Sequence, residues 1–155
     1  MKIRQLIIKA LSTVFYIGYL PFIPGTFGSI VGMLLFYLLK GNIFLHLSLT
    51  LTLIILGFLV SGQAERIFNK KDARFIVIDE TSGMLLALIC IPYDIRLVIM
   101  AFVLFRILDT FKPYPSGRLE NLSGSVGIMS DDIIAGIYTN IILQVVLRFI
   151  SLRAS

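Results

Sequence analysis

An uncharged, strongly apolar run from Ile43 to Val60 constrains the fold of this chain more than any other feature. At about 1.5 Å per residue, a helix over this run is nearly as long as the roughly 30 Å hydrocarbon core of a bilayer is thick. Hydrophobic residues make up 57% of the 155 residues and charged residues only 15%, a far more apolar composition than that of an ordinary soluble domain. We therefore predict an integral membrane protein; the alternative is a soluble bundle with apolar core helices.

The other apolar runs predict an all-α fold. Helices are expected at residues 26–40, 43–61, 75–92, 95–111 and 131–148, separated by breaks that contain proline, glycine or asparagine. The uninterrupted runs are too long for β-strands and carry few turn residues. The expected architecture is a compact, polytopic bundle of about five membrane helices that forms a single domain over residues 1–155.

The N-terminal segment begins like a signal peptide, but it lacks a small-residue cleavage site and Lys9 interrupts its apolar stretch. Apolar residues recur there at helical spacing, opposite Lys2, Arg4 and Lys9. These apolar residues are Ile3, Leu6, Ile7, Leu11, Val14 and Phe15. The pattern favours a retained amphipathic helix on an anionic membrane surface, with a first transmembrane helix as the alternative.

The positions of Lys and Arg predict the orientation, because cytoplasmic loops retain positive charge. With the N-terminus inside, only Lys40, Arg96, Arg148 and Arg153 of the 14 basic residues fall outside. The net charge of +5 is scattered between apolar segments and forms no extended patch. We therefore expect the membrane and its phospholipids, and not nucleic acid, to be the partners of this chain.

Polar motifs interrupt the apolar pattern where helices begin or end at the predicted inner face. They are PGTFGS (24–29), IDETSG (78–83), FRILDTFKPYP (105–115) and GIMSDDIIAG (127–136). Hydropathy and charge, which set the helix count and the orientation, do not require these motifs to share a face. Their predicted convergence therefore indicates a functional site.

The acidic residues of these motifs are candidates for catalysis and metal binding. They are Asp79, Glu80, Asp109, Asp131 and Asp132. Ionisable groups at membrane depth are costly and usually mark a site, although each acidic pair alone could simply complement a helix N-terminus. Clustered carboxylates need a cation, and oxygen ligands favour a hard ion such as Mg²⁺, so both acidic pairs are candidate metal ligands. A glycine lies one helical turn after Asp79 and after Asp132, which favours close helix approach.

Basic and small residues in the same motifs are candidates for binding an anion. Arg106, Asp109 and Lys112 recur every three residues on one side of a helix end, where they form either a phosphate site or a local ion-pair ladder. Gly25, Thr26 and Ser29 can present amides and hydroxyls at a helix N-terminus, although a glycine-rich packing turn is equally consistent with this motif.

Two covalent phosphatase mechanisms are disfavoured. Cys90 and Arg96 have the spacing of a cysteine phosphatase, but the residues between them include no glycine and lie at the predicted outer turn. We expect Cys90 to be an inert, buried cysteine. The only histidine, His46, lies within an apolar helix far from the motifs, so a phosphohistidine mechanism is not expected.

Taken together, the motifs resemble those of the phosphatidylglycerophosphatase A family, in order and from Pro21 to about Thr139. The most specific parts are FR-x-x-D-x-x-KP and GI-x-x-DD-x-x-AG. The resemblance implies an Mg²⁺-dependent enzyme that removes the terminal phosphate of phosphatidylglycerophosphate and leaves phosphatidylglycerol. It also implies a site in the bacterial cytoplasmic (inner) membrane that faces the cytoplasm. Thr81 and Ser82 stand where more apolar residues are expected, which suggests some substrate drift.

The site residues that the resemblance implies are Asp79, Glu80, Arg106, Asp109, Lys112, Asp131 and Asp132. The chemistry of these residues supports a hypothetical mechanism. In it, Asp79, Glu80 and Asp132 would hold one or two Mg²⁺ ions, and either Asp131 or Asp109 would orient the attacking water or take its proton. Two other functions compete with this one. A cation or proton-coupled transporter would place acidic residues nearer the midplane, and a non-catalytic envelope protein would use the motifs only as helix caps.

Overall fold

The computed structural model describes residues 2–39, 41–71, 73–119 and 122–154. Helix accounts for 77% of the chain, and these residues contain no β-strand, so the all-α prediction is confirmed. The helices are α1 (Lys2–Ser12), α2 (Pro24–Leu38), α3 (Ile43–Phe68), α4 (Ile78–Ala87), α5 (Ile95–Phe111), α6 (Ser116–Leu119) and α7 (Ser125–Ala154), with a 3-10 turn at Ile17–Tyr19.

Local sequence signals set most of the helix ends. Pro24 begins α2, where its missing N–H costs no helical hydrogen bond. The side chains of Asn42 and Asp94 cap α3 and α5 by accepting hydrogen bonds from backbone amides of the first turn. Asn69 and Lys112 follow the last residues of these two helices in the left-handed conformation and end them.

Helix α4 lies at the centre of the bundle and packs against α2, α3, α5 and α7. Every residue of α4 except Glu80 and Leu86 is buried. Its 10 residues span about 15 Å, half the thickness of a bilayer core, so the membrane helix expected at 75–92 is in fact a short central helix. High hydropathy here reflects burial in protein rather than contact with lipid.

Two helices of the described chain, α3 and α7, are long and apolar enough to cross a membrane. Helix α2 is apolar but has only 15 residues. The prediction of about five membrane helices is therefore not confirmed. The bounds of α5 agree with the predicted 95–111, whereas α3 and α7 are longer than expected. Helix α3 continues beyond residue 61 to Phe68, and α7 extends beyond the predicted 131–148 at both ends.

The outward faces of the helices are apolar. On α5, the exposed residues Ile95, Ile99, Val103 and Ile107 recur every four residues and form a stripe along the helix. Large apolar side chains are also exposed along α2, α3 and α7. Such extended apolar surfaces are unusual on a soluble monomer, and they are consistent with a membrane-associated protein.

The N-terminal helix α1 packs on α3, where Arg4 donates a hydrogen bond to Gln63 at 2.8 Å. Ile3 and Ile7 remain exposed, as expected for an amphipathic surface helix. With 11 residues, α1 is too short to cross a bilayer. The predicted helical pattern continued to Phe15, but the helix ends at Ser12 because the residues from Val14 to Tyr16 turn with positive φ.

Helices α4 and α7 approach closely at two glycines. A methyl group added at Gly136 would lie 2.5 Å from the carbonyl oxygen of Gly83, and one added at Gly83 would lie 2.7 Å from the carbonyl oxygen of Asp132. The close approach expected from the spacing of acids and glycines is thus confirmed. This contact brings the starts of α4 and α7 together.

We expect Gly136→Ala to destabilise the protein by about 1–3 kcal/mol, because the added methyl overlaps backbone that cannot rotate away. The measurement is thermal unfolding of the purified protein in detergent. Gly57→Ala is the matched control, since a methyl there meets only the flexible end of Met129. Equal unfolding temperatures for Gly136→Ala and the wild type would contradict the close α4–α7 contact.

Candidate active site

The starts of α4 and α7 bring three carboxylates together. Asp79 and Glu80 occupy the first turn of α4, and Asp132 lies near the start of α7. One carboxylate oxygen from each lies within 4.8 Å of the others, a spacing that can hold a metal ion. Asp79 and Asp132 are only 5% and 4% exposed, so this cluster is not an ordinary solvated acidic surface. Asp131, also offered by the sequence as a metal ligand, is not part of this group.

Several oxygens around the cluster lack hydrogen-bond partners. Glu80 Oε2, Asp131 Oδ1 and Asp132 Oδ1 are buried, and none accepts a hydrogen bond from the described residues. A buried polar atom without a partner costs about 1–3 kcal/mol, so native proteins rarely leave several in one place. The oxygens are therefore suited to a cation, and an all-oxygen donor set fits a hard divalent ion.

Burial and crowding alter the protonation of the α4 acids. Burial raises the pKa of Asp79 well above its usual range, and repulsion from Glu80 and from the two aspartates of α7 raises it further. Burial also raises the pKa of Glu80, although a hydrogen bond with Asp79 and the charge of Arg106 act in the opposite direction. The cluster must therefore hold either a proton or a cation to neutralise it.

Basic side chains from the end of α5 flank the carboxylates. Arg106 Nη1 lies 2.9 Å from Asp109 Oδ2 within α5, and Lys112 Nζ donates to Asp131 Oδ2 of α7 at the same distance. The Arg106–Asp109 pair is one step of the ion-pair ladder considered from the sequence, and Lys112 in addition reaches across to another helix. Arg106 Nη1 is buried, and its contact with Asp109 is too poorly aligned for a hydrogen bond. An acceptor such as a phosphate oxygen would complete its coordination.

These groups line one cavity of about 290 Å³. Its polar and charged side chains are Glu65, Lys71, Arg74, Asp79, Glu80, Arg106, Asp109, Lys112, Asp131 and Asp132. Gly25 also lines it, and a methyl group there would overlap Glu80 Oε1, so the glycine leaves space for that carboxylate. The structure thus brings together the acidic and basic candidates from all three of their motifs.

Two predicted anion-binding residues lie elsewhere. Thr26 and Ser29 do not line the cavity, and Ser29 is fully buried with its hydroxyl donating to the carbonyl oxygen of Gly25. The glycine-rich motif therefore acts mainly through Gly25 and through helix packing, which was the alternative interpretation.

Three charged cavity residues were missed by the sequence interpretation. Glu65 lies near the end of α3, and Lys71 and Arg74 lie in the connection from α3 to α4. They belong to no motif and follow no helical period. The available signal for Lys71 and Arg74 was their predicted location at the inner face, shortly before IDETSG in the chain.

The residues of the disfavoured covalent mechanisms lie in a different cavity. His46 and Cys90 both line it together with Phe36 and Tyr93, and neither lines the carboxylate cavity. His46 Nε2 lies 2.9 Å from the carbonyl oxygen of Leu85, which accounts for its buried ring. Cys90 is exposed, so the expectation of a buried cysteine is wrong; it follows α4 at a turn with positive φ instead of lying within a helix.

Comparison with known proteins agrees with this arrangement. The family model described as Phosphatidylglycerophosphatase A matches residues 10–147, which include all four motifs. The chain belongs to the phosphatidylglycerophosphatase A family. As a member of this family it is a phosphatase, a phosphoric monoester hydrolase. No solved structure shows significant similarity to the chain.

The curated relatives are named as phosphatases of two different lipids. The chain is 37% identical to phosphatidylglycerophosphatase A of Escherichia coli, covering 77% of this chain and 72% of the relative, and 33% identical to that of Haemophilus influenzae, covering 77% and 76%. It is also 35% identical to a Bacteroides thetaiotaomicron protein named as a candidate phosphatidylinositol-3-phosphatase, covering 87% of this chain and 90% of the relative.

The unusual Thr81 and Ser82 of the second motif do not face the cavity. Thr81 Oγ1 lies 2.9 Å from the carbonyl oxygens of both Gly28 and Val77, which share its single hydroxyl hydrogen, and Ser82 Oγ donates to that of Asp79. Both side chains are fully buried. Thr81 therefore links α4 to α2, and the hydroxyl of Ser82 is satisfied within α4. Neither side chain supports the substrate drift suggested by the sequence.

Proposed function

We propose that this chain is a magnesium-dependent lipid phosphatase that hydrolyses phosphatidylglycerophosphate to phosphatidylglycerol and phosphate at the cytoplasmic face of a bacterial inner membrane. The observation that carries the proposal is a single cavity in which Asp79, Glu80 and Asp132 meet beside Arg106 and Lys112. Membership of a phosphatase family supplies the reaction class. We also propose that residues 1–155 act as one domain.

Asp79, Glu80 and Asp132 would hold the magnesium ion. Their oxygen-only donor set suits a hard cation, and the unpartnered buried oxygens of Glu80 and Asp132 favour such an occupant. When bound, magnesium would act as a Lewis acid that polarises the phosphoryl oxygens and makes a nearby water more nucleophilic.

The basic residues and Asp131 would carry the remaining roles. Arg106 and Lys112 bind the phosphoryl group and stabilise the charge on it during transfer. Asp131 orients the attacking water and takes its proton, because Lys112 holds Oδ2 while Oδ1 is buried and accepts no hydrogen bond from the described part of the chain. Asp109 instead holds Arg106 in place.

The reaction is a direct displacement at phosphorus. A bond forms from the water oxygen to phosphorus, and the bond from phosphorus to the terminal glycerol oxygen breaks. The leaving oxygen takes up one proton, which balances the proton that Asp131 removes from the attacking water, so that phosphatidylglycerol and inorganic phosphate are released. The acyl chains stay in the bilayer while the headgroup enters the cavity.

The positive charge at the end of the bundle that contains the cavity supports a site on the cytoplasmic side of the membrane. Lys71, Arg74, Arg106 and Lys112 all line the cavity, and Arg66 lies in the last turn of α3 at the same end. Positively charged segments are retained on the cytoplasmic side during membrane insertion. A headgroup made on that side would reach the site without crossing the bilayer.

Phosphatidylinositol 3-phosphate is the second candidate substrate, because the Bacteroides relative that aligns over most of both chains carries that name. Both lipids share one chemistry. Each bears a phosphomonoester on a polyol, and the polyol is joined to diacylglycerol through a phosphodiester.

The direct test uses the purified full chain in neutral detergent. It is given phosphatidylglycerophosphate, phosphatidylinositol 3-phosphate or phosphatidic acid, with Mg²⁺ or with a chelator. We expect phosphate release to be fastest from phosphatidylglycerophosphate and to require Mg²⁺. Faster release from the inositol lipid would favour the second candidate, and release that persists in the chelator would remove the metal from the proposal.

We expect the Mg²⁺ concentration that half-saturates activity to fall as the pH rises. Burial and crowding raise the pKa of Asp79 and of Glu80, so protons occupy the metal-free site at low pH and compete with the ion. At pH values below the raised pKa, each proton that Mg²⁺ displaces makes the apparent affinity for Mg²⁺ increase by up to about tenfold per pH unit. Mg²⁺ titrations of activity at several pH values measure this, and a half-saturating concentration that rises with pH would contradict it.

A further inference from the structure

The cavity has two pairs of basic residues, and the proposed reaction uses only one of them. Arg106 and Lys112 come from the end of α5 and are held by Asp109 and Asp131. Lys71 and Arg74 line the same cavity but come from the connection that follows α3. A monoester phosphate bound beside the carboxylates needs only the α5 pair.

The two pairs enter the cavity from different parts of the bundle. Helices α3 and α5 both pack on α4 and α7, which carry the metal-binding carboxylates, and no extensive contact joins α3 to α5 among the described helices. The cavity therefore receives positive charge both from the end of α5 and from the connection that follows α3.

Lys71 and Arg74 are available to bind a ligand. Both are exposed, and within the part of the chain that the structure describes neither forms an ion pair. The guanidinium of Arg74 lies over the ring of Phe75, 5.4 Å from its centroid, and this contact orients it. Among the described residues of α3 and of the connection after it, Lys71, Arg74 and Glu65 are the charged residues that line the cavity.

The connection that carries this pair is anchored in the fold. Ala73 and Ile76 are buried, and the amide of Val77 donates to the carbonyl oxygen of Ser12 at 2.9 Å. The ring of Phe75 stacks on Tyr19 with centroids 5.0 Å apart. Arg74 is therefore presented by a packed segment and forms part of the cavity wall.

We propose that Lys71 and Arg74 bind the second phosphate of the substrate, the phosphodiester that joins the headgroup to diacylglycerol. This inference rests on the proposed function and deepens it. The pair would make the enzyme selective for lipids that carry both a monoester and a diester phosphate. Phosphatidic acid, whose only phosphate is the monoester, would gain nothing from the pair.

The test compares two substrates in neutral detergent micelles, phosphatidylglycerophosphate and phosphatidic acid with the same acyl chains. We expect Lys71→Gln and Arg74→Gln each to lower kcat/KM for the first lipid by about three- to fivefold, and the double variant by about tenfold, mainly through KM. Activity on phosphatidic acid should stay within about twofold of the wild type. Lys70→Gln is the matched control, because Lys70 is an exposed neighbour that does not line this cavity.

Product inhibition gives a second readout. Phosphatidylglycerol keeps the diester but has lost the reacting phosphate, so we expect it to inhibit the double variant about tenfold less strongly than the wild type. Equal losses on both substrates, or unchanged inhibition by phosphatidylglycerol, would overturn the proposal. If the variants lose activity only in anionic vesicles and not in neutral micelles, the pair binds bilayer lipids and the proposal is also overturned.

Failure of the proposed function is visible separately. A wild-type protein that releases no phosphate from any lipid disproves the phosphatase activity before a variant is made. If phosphatidylinositol 3-phosphate is the better substrate, it replaces phosphatidylglycerophosphate in the comparison, because it also carries a diester.

Discussion

Asp132→Asn is expected to lower kcat by about 10³-fold, because it removes a charged ligand from the cation that polarises the phosphoryl group. Such Lewis-acid stabilisation is worth several kcal/mol, and each 1.36 kcal/mol changes the rate about tenfold. Asp132 is 4% exposed, and its Oδ1 has no hydrogen-bond partner among the described residues. The negative charge therefore contributes little to the stability of the folded protein when no metal is bound. Without metal, the unfolding temperature of the variant should therefore be no lower than that of the metal-free wild type.

Thermal unfolding with and without Mg²⁺ separates the loss of the ion from a loss of fold. The wild type should be stabilised by Mg²⁺ because the ion binds only the folded site, and Asp132→Asn should lose most of this shift. Asp94→Asn is the control. Asp94 is an exposed cap of α5, and asparagine caps a helix equally well. Normal turnover and a normal Mg²⁺ shift in Asp132→Asn would exclude it as a metal ligand.

The convergence of the acidic motifs could be predicted because two independent sequence signals agreed. Carboxylates are costly in an apolar chain, and Gly83 and Gly136 each follow an acid by one helical turn. The structure places these glycines in contact, and the acids meet as a result. Small residues at a helix crossing leave few alternative geometries, so the sequence pattern was informative here.

The number of membrane helices could not be predicted from hydropathy. The segment 75–92 is as apolar as a spanning helix, but α4 covers only Ile78–Ala87 and is surrounded by other helices. An apolar residue packed against protein and one packed against lipid have the same hydropathy. Only the short length of α4 and the burial around it distinguish the two cases.

Contacts between separate segments of the chain also could not be predicted from the sequence. The three-residue spacing of Asp109 and Lys112 suggested only a pairing along α5, but Lys112 also donates a hydrogen bond to Asp131 of α7. Lys71 and Arg74 line the cavity from the irregular connection between α3 and α4. Neither arrangement follows a helical period, so no local pattern indicated it.

Arg106→Gln is expected to lower kcat by about 10²–10³-fold with a much smaller change in KM. Its guanidinium is held by Asp109 at the edge of the carboxylate cluster, and buried Nη1 lacks a well-aligned acceptor. A preorganised donor of this kind acts most strongly on charge that develops in the transition state, and removing one typically costs that factor. Arg106→Lys should recover little, because a lysine cannot offer the planar donor fork.

The kinetic split distinguishes Arg106 from the residues proposed to bind the diester. Substitution of Lys71 or Arg74 should raise mainly KM, and only for substrates with a second phosphate. Substitution of Arg106 should instead lower kcat for every phosphomonoester. Arg96→Gln is the matched control, since its side chain is 90% exposed and does not line the cavity. An Arg106→Gln variant that raised KM while keeping kcat would show that Arg106 binds the ground state and the transition state equally, and it would remove Arg106 from the chemical step.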